Sequence, residues 1–199
     1  MDKLPIPLWK LVIKRSADLF ISTTFLLFLS PFIIIIAALI KLTSKGPVLF
    51  IQERIGKYGH PFFIYKFRTM EAGAELPGKK FEITHDDPRI TKFGRWLRRT
   101  SFDELPQLFN ILRGDMSIIG PRPTLRYQVE QYTEEERRRL LVKPGVTGLA
   151  QIHGRNAISW AERIKWDLYY IAHYSLWLDL VIIVQTVKIW VTGEGLYSS

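Results

Sequence analysis

The chain has 199 residues, enough for one compact domain with a buried core, and it contains no cysteine, which excludes disulfides, thiol nucleophiles and cysteine-ligated zinc. With 28 Lys and Arg against 19 Asp and Glu, the net charge of +9 suits an anionic partner: nucleic acid, acidic lipid headgroups or a phosphorylated substrate. Two large domains are excluded by length.

Residues 19–40 carry no charge, and about 20 apolar residues suffice to span the hydrocarbon core of a bilayer. The run is too long for a cleaved signal peptide, and no small-residue cleavage site follows it. A single spanning anchor is the simplest reading, and two features oppose it. Pro31 removes the hydrogen bond to the Leu27 carbonyl and favours a kink, with Ser30 placed to bond back to the freed oxygen. Lys10, Lys14 and Arg15 precede the run while Lys41 and Lys45 follow it, so both ends prefer the cytoplasmic side. A re-entrant helix broken at Ser30-Pro31 satisfies both.

Gly46-Pro47 then separates residues 1–45, the membrane segment, from 46–199, a domain of soluble composition rich in Lys and Arg. Val48–Arg54 and Phe62–Phe67 read as a β-hairpin around Gly56-Lys57-Tyr58-Gly59, and Glu71–Asp87 as a loop over a site. Thr91–Arg99 predicts a basic amphipathic helix, lying either on the core or on an anionic membrane surface. Thr133 and Glu136 form a capping-box pattern opening a short charged helix through Leu141. Leu176–Val191 is apolar but contains Asp179, Gln185 and Lys188, as expected of an interfacial or core helix. The fold class is α+β, mostly helical with a small hairpin.

Chemistry concentrates at Asp103-Glu104. Leu105, Leu108, Phe109 and Leu112 follow helical spacing up to Gly114, and Pro106 belongs in a first turn, so the helix is predicted to begin near Asp103 with both carboxylates at its positive end. A pure folding role, Asp103 as N-cap or Ser101 with Glu104 as capping box, explains the same residues. Against it stands the supply of cations: Arg98 and Arg99 just before, and Lys66, Arg68 and Arg122 from other segments. Such a set suits a diphosphate, with a carboxylate able to attack phosphorus and its neighbour able to hold Mg²⁺. Arg122 lies between Pro121 and Pro123, which stiffen the segment presenting it. His60, His85, His153 and His173 show no metal-ligand spacing.

In chain order, Gly46 to Gly56, Lys66-Phe67-Arg68-Thr69-Met70, Asp87 to Gly94, Leu97 to Leu108, Gly114 to Pro123, Lys143 to Gly148 and Gly154-Arg155 resemble the monotopic phosphoglycosyl transferases, also called bacterial sugar transferases or undecaprenyl-phosphate sugar phosphotransferases. The resemblance implies a monotopic protein of the bacterial inner membrane with a re-entrant helix at Ser30-Pro31 and its catalytic domain on the cytoplasmic face. It implies a UDP-sugar:undecaprenyl-phosphate sugar-1-phosphate transferase that opens glycoconjugate assembly. Asp103 would attack the β-phosphate of a UDP-sugar, UMP would leave, and polyprenyl phosphate would collect the phosphosugar in a ping-pong sequence. Mg²⁺ is the implied cofactor, with Glu104 as its ligand and Arg98, Lys66, Arg68, Arg122 and Arg155 at the substrate. Anionic lipids are expected partners, nucleic acid is not, and a homodimer stays open.

The length leaves no room for the extra membrane helices of larger members, so a minimal catalytic form is expected. A membrane-tethered nucleic-acid binder explains charge and aromatics but not Asp103-Glu104. An anchored interaction module predicts that Asp103 is dispensable, and a direct transfer would use it as base or metal ligand. No residue pattern identifies the sugar.

Overall fold

Helix α1 (Leu8–Thr43) has 36 residues and, at 1.5 Å per residue, is about 54 Å long. The computed structural model describes residues 6–71, 73–74, 87–154 and 157–192. Pro31 sits inside α1 without ending it. At Ser30-Pro31 the helical hydrogen bonding is carried across the proline: the Ser30 hydroxyl donates to the Leu27 carbonyl at 2.9 Å, as expected, supplying from one residue earlier the bond that Pro31 lacks.

Both flanks of α1 are fastened to the remainder of the chain. Near its start, Lys14 pairs with Asp179 at 2.8 Å, and Asp18 accepts from the Ser117 hydroxyl at 3.1 Å and the Ile118 N–H at 3.0 Å. Arg15 donates to the carbonyls of Ile111 and Leu112 at 2.6 and 3.0 Å, satisfying the end of the helix that follows the dyad. Toward its end, Ile36 and Ile40 pack with Phe67 and Leu97 in one apolar cluster, which Phe32 and Phe102 flank. Between buried Ser22 and Phe32 only residues 23–31 intervene, about 14 Å of helix.

Strands β1 (Leu49–Ile55) and β2 (Pro61–Phe67) form the expected antiparallel hairpin, paired Leu49↔Phe67 through Ile55↔Pro61. Its turn passes through Tyr58 and Gly59, both at positive φ, where glycine is unstrained. Helix α2 (Lys92–Thr100) is capped by the Thr91 hydroxyl, which accepts from the Gly94 N–H at 2.8 Å. A Cβ on Gly94 would lie 2.1 Å from the Thr69 carbonyl, so only glycine lets α2 approach this closely. The predicted loop 71–87 falls largely on residues outside those described, as does His85.

The chain then makes a 3₁₀ turn at Phe102–Glu104, helix α3 (Gln107–Arg113), strand β3 (Ser117–Ile119) and the short helix α4 (Arg126–Glu130). The capping box at Thr133 forms as predicted, with reciprocal bonds of 2.8 and 3.3 Å to Glu136, but it opens a 3₁₀ helix (Glu136–Leu141) instead of an α-helix. Strand β4 (Gly145–Thr147) pairs parallel with β3, a contact between segments that no sequence pattern announced. Short helix α5 (Leu149–Ile152), α6 (Trp160–Ala172) and α7 (Leu176–Thr192) complete the chain. Their core joins Ile119, Leu149, Tyr170, Ile171 and Ile182.

Apolar side chains on two helices remain uncovered. Trp177, Leu180, Val184, Val187 and Val191 recur at helical spacing as an exposed stripe on α7, and Phe20, Leu27, Phe28, Ile34 and Leu42 are exposed on α1. Asp179 does not interrupt the α7 stripe, because it is buried and accepts from the Tyr170 hydroxyl at 2.7 Å.

Candidate active site

The dyad lies where α2 ends. Ser101 adopts φ 59, a left-handed conformation uncommon for a residue with a side chain, and redirects the chain into the Phe102–Glu104 turn. Phe102 anchors that turn from below: its ring meets Phe32 at 5.1 Å, Trp96 at 5.4 Å and Trp190 at 6.0 Å. Trp190 in turn donates its indole N–H to the Thr100 carbonyl at 2.9 Å. Asp103 and Glu104 are thus carried on a short turn between aromatic packing and α3. Helix α3 itself starts at Gln107, later than predicted, with Pro106 as its cap residue. The proline has no N–H to donate, so the turn and the helix form separately.

A capping role for the two carboxylates is not what forms. No side chain caps the Phe102–Glu104 turn, and Glu104 accepts instead from Lys66 and Arg122, each at 2.7 Å from the same carboxylate oxygen. Lys66 reaches it because Asn110, fully buried on α3, accepts from the Tyr65 N–H at 3.0 Å and donates to the Phe63 carbonyl at 2.7 Å, pinning α3 along β2. Arg122 reaches it from a strap fixed at its backbone: Gly120 N–H to Thr147 carbonyl, Gly145 N–H to Pro121 carbonyl and Ile55 N–H to Thr124 carbonyl, all at 2.9 Å. Pro121 and Pro123 are buried while Arg122 between them is exposed.

The two acids consequently differ. Burial pushes Glu104 up, but Arg122 and Lys66 outweigh it and hold the carboxyl well below the usual range. Asp103 has no hydrogen-bond or ion-pair partner among the described residues. Burial and the neighbouring Glu104 charge push it up to about 6, against weaker pulls from Lys66, Arg98 and Arg122. At neutral pH it is still mostly ionised, and it is a more basic oxygen nucleophile than an ordinary aspartate.

The other predicted cations separate. Arg98 donates to the Thr69 hydroxyl at 2.8 Å and lies within the field of Asp103 and Asp87. Asp87 is held down to about 2 by hydrogen bonds from the Arg89 side chain and backbone. Arg68 is displaced from the predicted set: buried, it donates to the Lys45 carbonyl at 2.6 Å and to the Ser44 carbonyl and hydroxyl at 2.9 and 2.7 Å, closing the end of α1. Arg155 lies outside the described residues. Among the histidines, His153 stacks on Trp166 at 3.7 Å, His173 on Tyr169 at 4.0 Å, and His60 is exposed.

Two arrangements had no signal that sequence reasoning used. Arg139 pairs with Asp167 at 2.5 Å in the interior and also donates to the Tyr132 hydroxyl, in a chain that ends beside the Arg122 carbonyl at 3.4 Å. Arg54 sits on the hairpin face that carries Lys66. The strand through Gln52 and Arg54 was expected, but the direction of these side chains toward the dyad was not.

For a divalent cation the described residues offer no cluster of three or more acidic or histidine ligands. The donor set still fits Mg²⁺ in its substrate-bound mode, which needs only one or two carboxylates beside substrate phosphates. Both ion pairs of Glu104 go to one oxygen, and Asp103 is adjacent.

The bacterial sugar transferase family profile matches residues 9–193. EpsL of Bacillus subtilis, described as an uncharacterised sugar transferase, is 44% identical over 186 residues, covering 94% of this chain and 91% of EpsL. The UDP-N-acetylgalactosamine-undecaprenyl-phosphate N-acetylgalactosaminephosphotransferase of Aeromonas hydrophila is 43% identical over 96% of this chain but 46% of its own length. The UDP-glucose:undecaprenyl-phosphate glucose-1-phosphate transferase of Klebsiella pneumoniae is 46% identical over 89% of this chain and 40% of its own length. The chain thus spans nearly all of EpsL and under half of the two longer enzymes. With a profile match over almost its whole length and an unpaired carboxylate set among cations where the family's motifs fall, the chain belongs to the bacterial sugar transferase family.

Proposed function

We propose that this protein transfers a sugar 1-phosphate from a UDP-sugar to undecaprenyl phosphate, through a phosphosugar held covalently on Asp103. The observation that carries the reading is the asymmetry of the dyad: one oxygen of Glu104 takes both Lys66 and Arg122, and Asp103 has no partner among the described residues. An Asp103 oxygen attacks the β-phosphorus, the bond from that phosphorus to the bridging oxygen breaks, and UMP leaves with the electron pair. A phosphate oxygen of the lipid then attacks the same phosphorus, and the Asp103 carboxylate departs unchanged. Arg122, Lys66 and Arg98 supply positive charge to the phosphate oxygens in both halves. Mg²⁺, held by Glu104 together with substrate phosphates, would add Lewis-acid charge neutralisation. Relatives named for N-acetylgalactosamine and for glucose match this chain at 43% and 46% identity, so the sugar stays unassigned.

A soluble donor and a lipid acceptor must meet at an interface, and the exposed apolar stripe of α7 and the uncovered face of α1 supply one. We read α1 as entering the membrane and returning, with its bend at Pro31. Support comes from its two fastened flanks: the free interval of about 14 Å is half of the ~30 Å hydrocarbon core. The catalytic domain would then face the cytoplasm of the inner membrane. Because the chain has no cysteine, single cysteines at Lys10 and Lys45 report the topology directly; labelling from opposite sides of sealed vesicles would refute the re-entrant course.

The decisive experiment follows UMP release from a panel of UDP-sugars with Mg²⁺ and undecaprenyl phosphate, alongside capture of labelled phosphosugar on the protein without acceptor. Release coupled to acceptor, with label on the parent and none on Asp103→Asn, is expected. Asp103→Asn turning over at the parent's rate would return the dyad to a structural role.

A further inference from the structure

Arg54 is a half-buried guanidinium with no carboxylate in ion-pair contact among the described residues. Its only polar partner among the described residues is the neutral Gln52, whose side-chain oxygen accepts at 2.6 Å. Its Nε is buried without any hydrogen bond. Strand register places it toward the dyad: Arg54 pairs with Phe62, Gln52 with Ile64 and Phe50 with Lys66, so Arg54, Gln52 and Lys66 share one face of the hairpin. From the other side comes the Arg122 strap, tied to β1 through the bridge between Ile55 and Thr124. Burial, and then the charge of Arg122, lower Arg54 to about 10, with Tyr127 and Glu104 pulling the other way. Two guanidiniums held near each other, one of them without an ion-pair contact among the described residues, form an incomplete arrangement that a phosphate completes.

We propose that Arg54 and Arg122 form a binding site for a phosphate monoester beside the dyad, the site in which the phosphate of the leaving nucleotide rests. The identity of that phosphate rests on the transferase reading above. The alternative source is the phosphate of the incoming lipid, and position favours the nucleotide. Val48 packs with the membrane helix, whereas Arg54 lies six residues further, about 20 Å along the strand at ~3.3 Å per residue. The Arg54 end of the hairpin is therefore the end remote from α1.

The test measures binding to the full-length protein in detergent without turnover, using UMP, inorganic phosphate and farnesyl phosphate as probes. Arg54→Gln is expected to weaken UMP and inorganic phosphate at least tenfold, the loss of one charge-assisted hydrogen bond, and to leave farnesyl phosphate unchanged. Gln52→Glu keeps the guanidinium but places a carboxylate against it. It should weaken UMP in the same way, and so serves if Arg54→Gln folds poorly; Arg54→Lys should fall between the parent and Arg54→Gln. Parent-like UMP affinity in both Arg54→Gln and Gln52→Glu, or no UMP binding to the parent, overturns the site. A loss confined to farnesyl phosphate assigns it to the lipid and overturns the nucleotide assignment. A parent that binds UMP through Arg54 but releases none from any UDP-sugar would count against the transferase reading alone.

Discussion

Asp103 and Asp167 are both raised to about 6, and in both burial is the largest cause. They nevertheless occupy opposite kinds of site. Asp167 is 2% exposed and locked to Arg139, itself 4% exposed, whose guanidinium lies over the rings of Trp160 at 5.3 Å and Tyr132 at 5.5 Å. Asp103 is half-buried and unpartnered among the described residues, while the cations around it serve its neighbour. The same raised carboxyl is in one place half of a closed ion pair and in the other unpaired among the described residues, as the proposed nucleophile requires. Replacing each by asparagine should separate the two. For Asp103→Asn the largest effect is on chemistry, a fall in UMP release on the order of 10⁴-fold or more, because an amide cannot form the acyl phosphate. A residual rate within tenfold of the parent would dissolve the contrast.

The next largest effect is on stability and belongs to Asp167. Asp167→Asn leaves the Arg139 guanidinium buried without its counter-charge, and breaking a buried pair costs roughly 3–5 kcal/mol. Denaturant or thermal unfolding in detergent should show a large loss, with activity per folded molecule declining far less than in Asp103→Asn. An Asp167→Asn variant as stable as the parent would mean that Arg139 finds water or another acceptor.

The dyad turn predicts the reverse sign. An Asp103 carboxyl raised from an ordinary 3.8 to about 6 is bound to its proton more tightly in the folded protein than in the unfolded chain. Its contribution to stability is therefore fully present below pH 3.8 and lost as pH rises through about 6. At neutral pH, a shift of this size corresponds to about 1–3 kcal/mol of destabilisation after allowance for partial solvent screening. Asp103→Asn should consequently unfold at higher temperature than the metal-free parent at pH 7 and gain nothing at pH 4. A gain that is equal at both values would assign the effect to packing and not to charge.

How much of this contrast was legible in the sequence differs between its two halves. Asp103-Glu104 stood out because two acids preceded an amphipathic pattern amid arginines, and the hairpin carrying Lys66 was readable from its apolar strands and the glycine-containing turn between them. Arg139 was not readable: it is the last of three consecutive arginines that follow three glutamates, and a charge run looks the same whether one member is buried or none. Only packing against Trp160 and Tyr132, set by tertiary structure, selects Arg139 while Arg137 and Arg138 stay exposed. Arg68 failed for the converse reason. Its position in a cationic motif suggested substrate, but the carbonyls left over at the end of α1 claim it first. The Ser30 bond to the Leu27 carbonyl was legible from the Ser30-Pro31 pair, whereas the angle between the two halves of α1 was not, because hydropathy and proline content do not set it.

The smallest predicted effect joins the two sites. The Tyr132 hydroxyl accepts from Arg139 and donates to the Thr124 hydroxyl at 3.1 Å, and Thr124 ends the strap that presents Arg122 to Glu104. Tyr132→Phe keeps the ring and removes only this link. Arg139 retains Asp167, so the stability cost should be about 2 kcal/mol, that of two hydrogen bonds, below the cost at Asp167. If the sealed pair positions the strap, the variant should raise the KM for the UDP-sugar by a few fold with little change in kcat, since Arg122 would be presented less rigidly in the ground state and the transition state alike. Unchanged kinetics with the same stability loss would mean that the prolines and the β1 and β4 hydrogen bonds hold Arg122 without help, and that the Arg139–Asp167 pair serves folding alone.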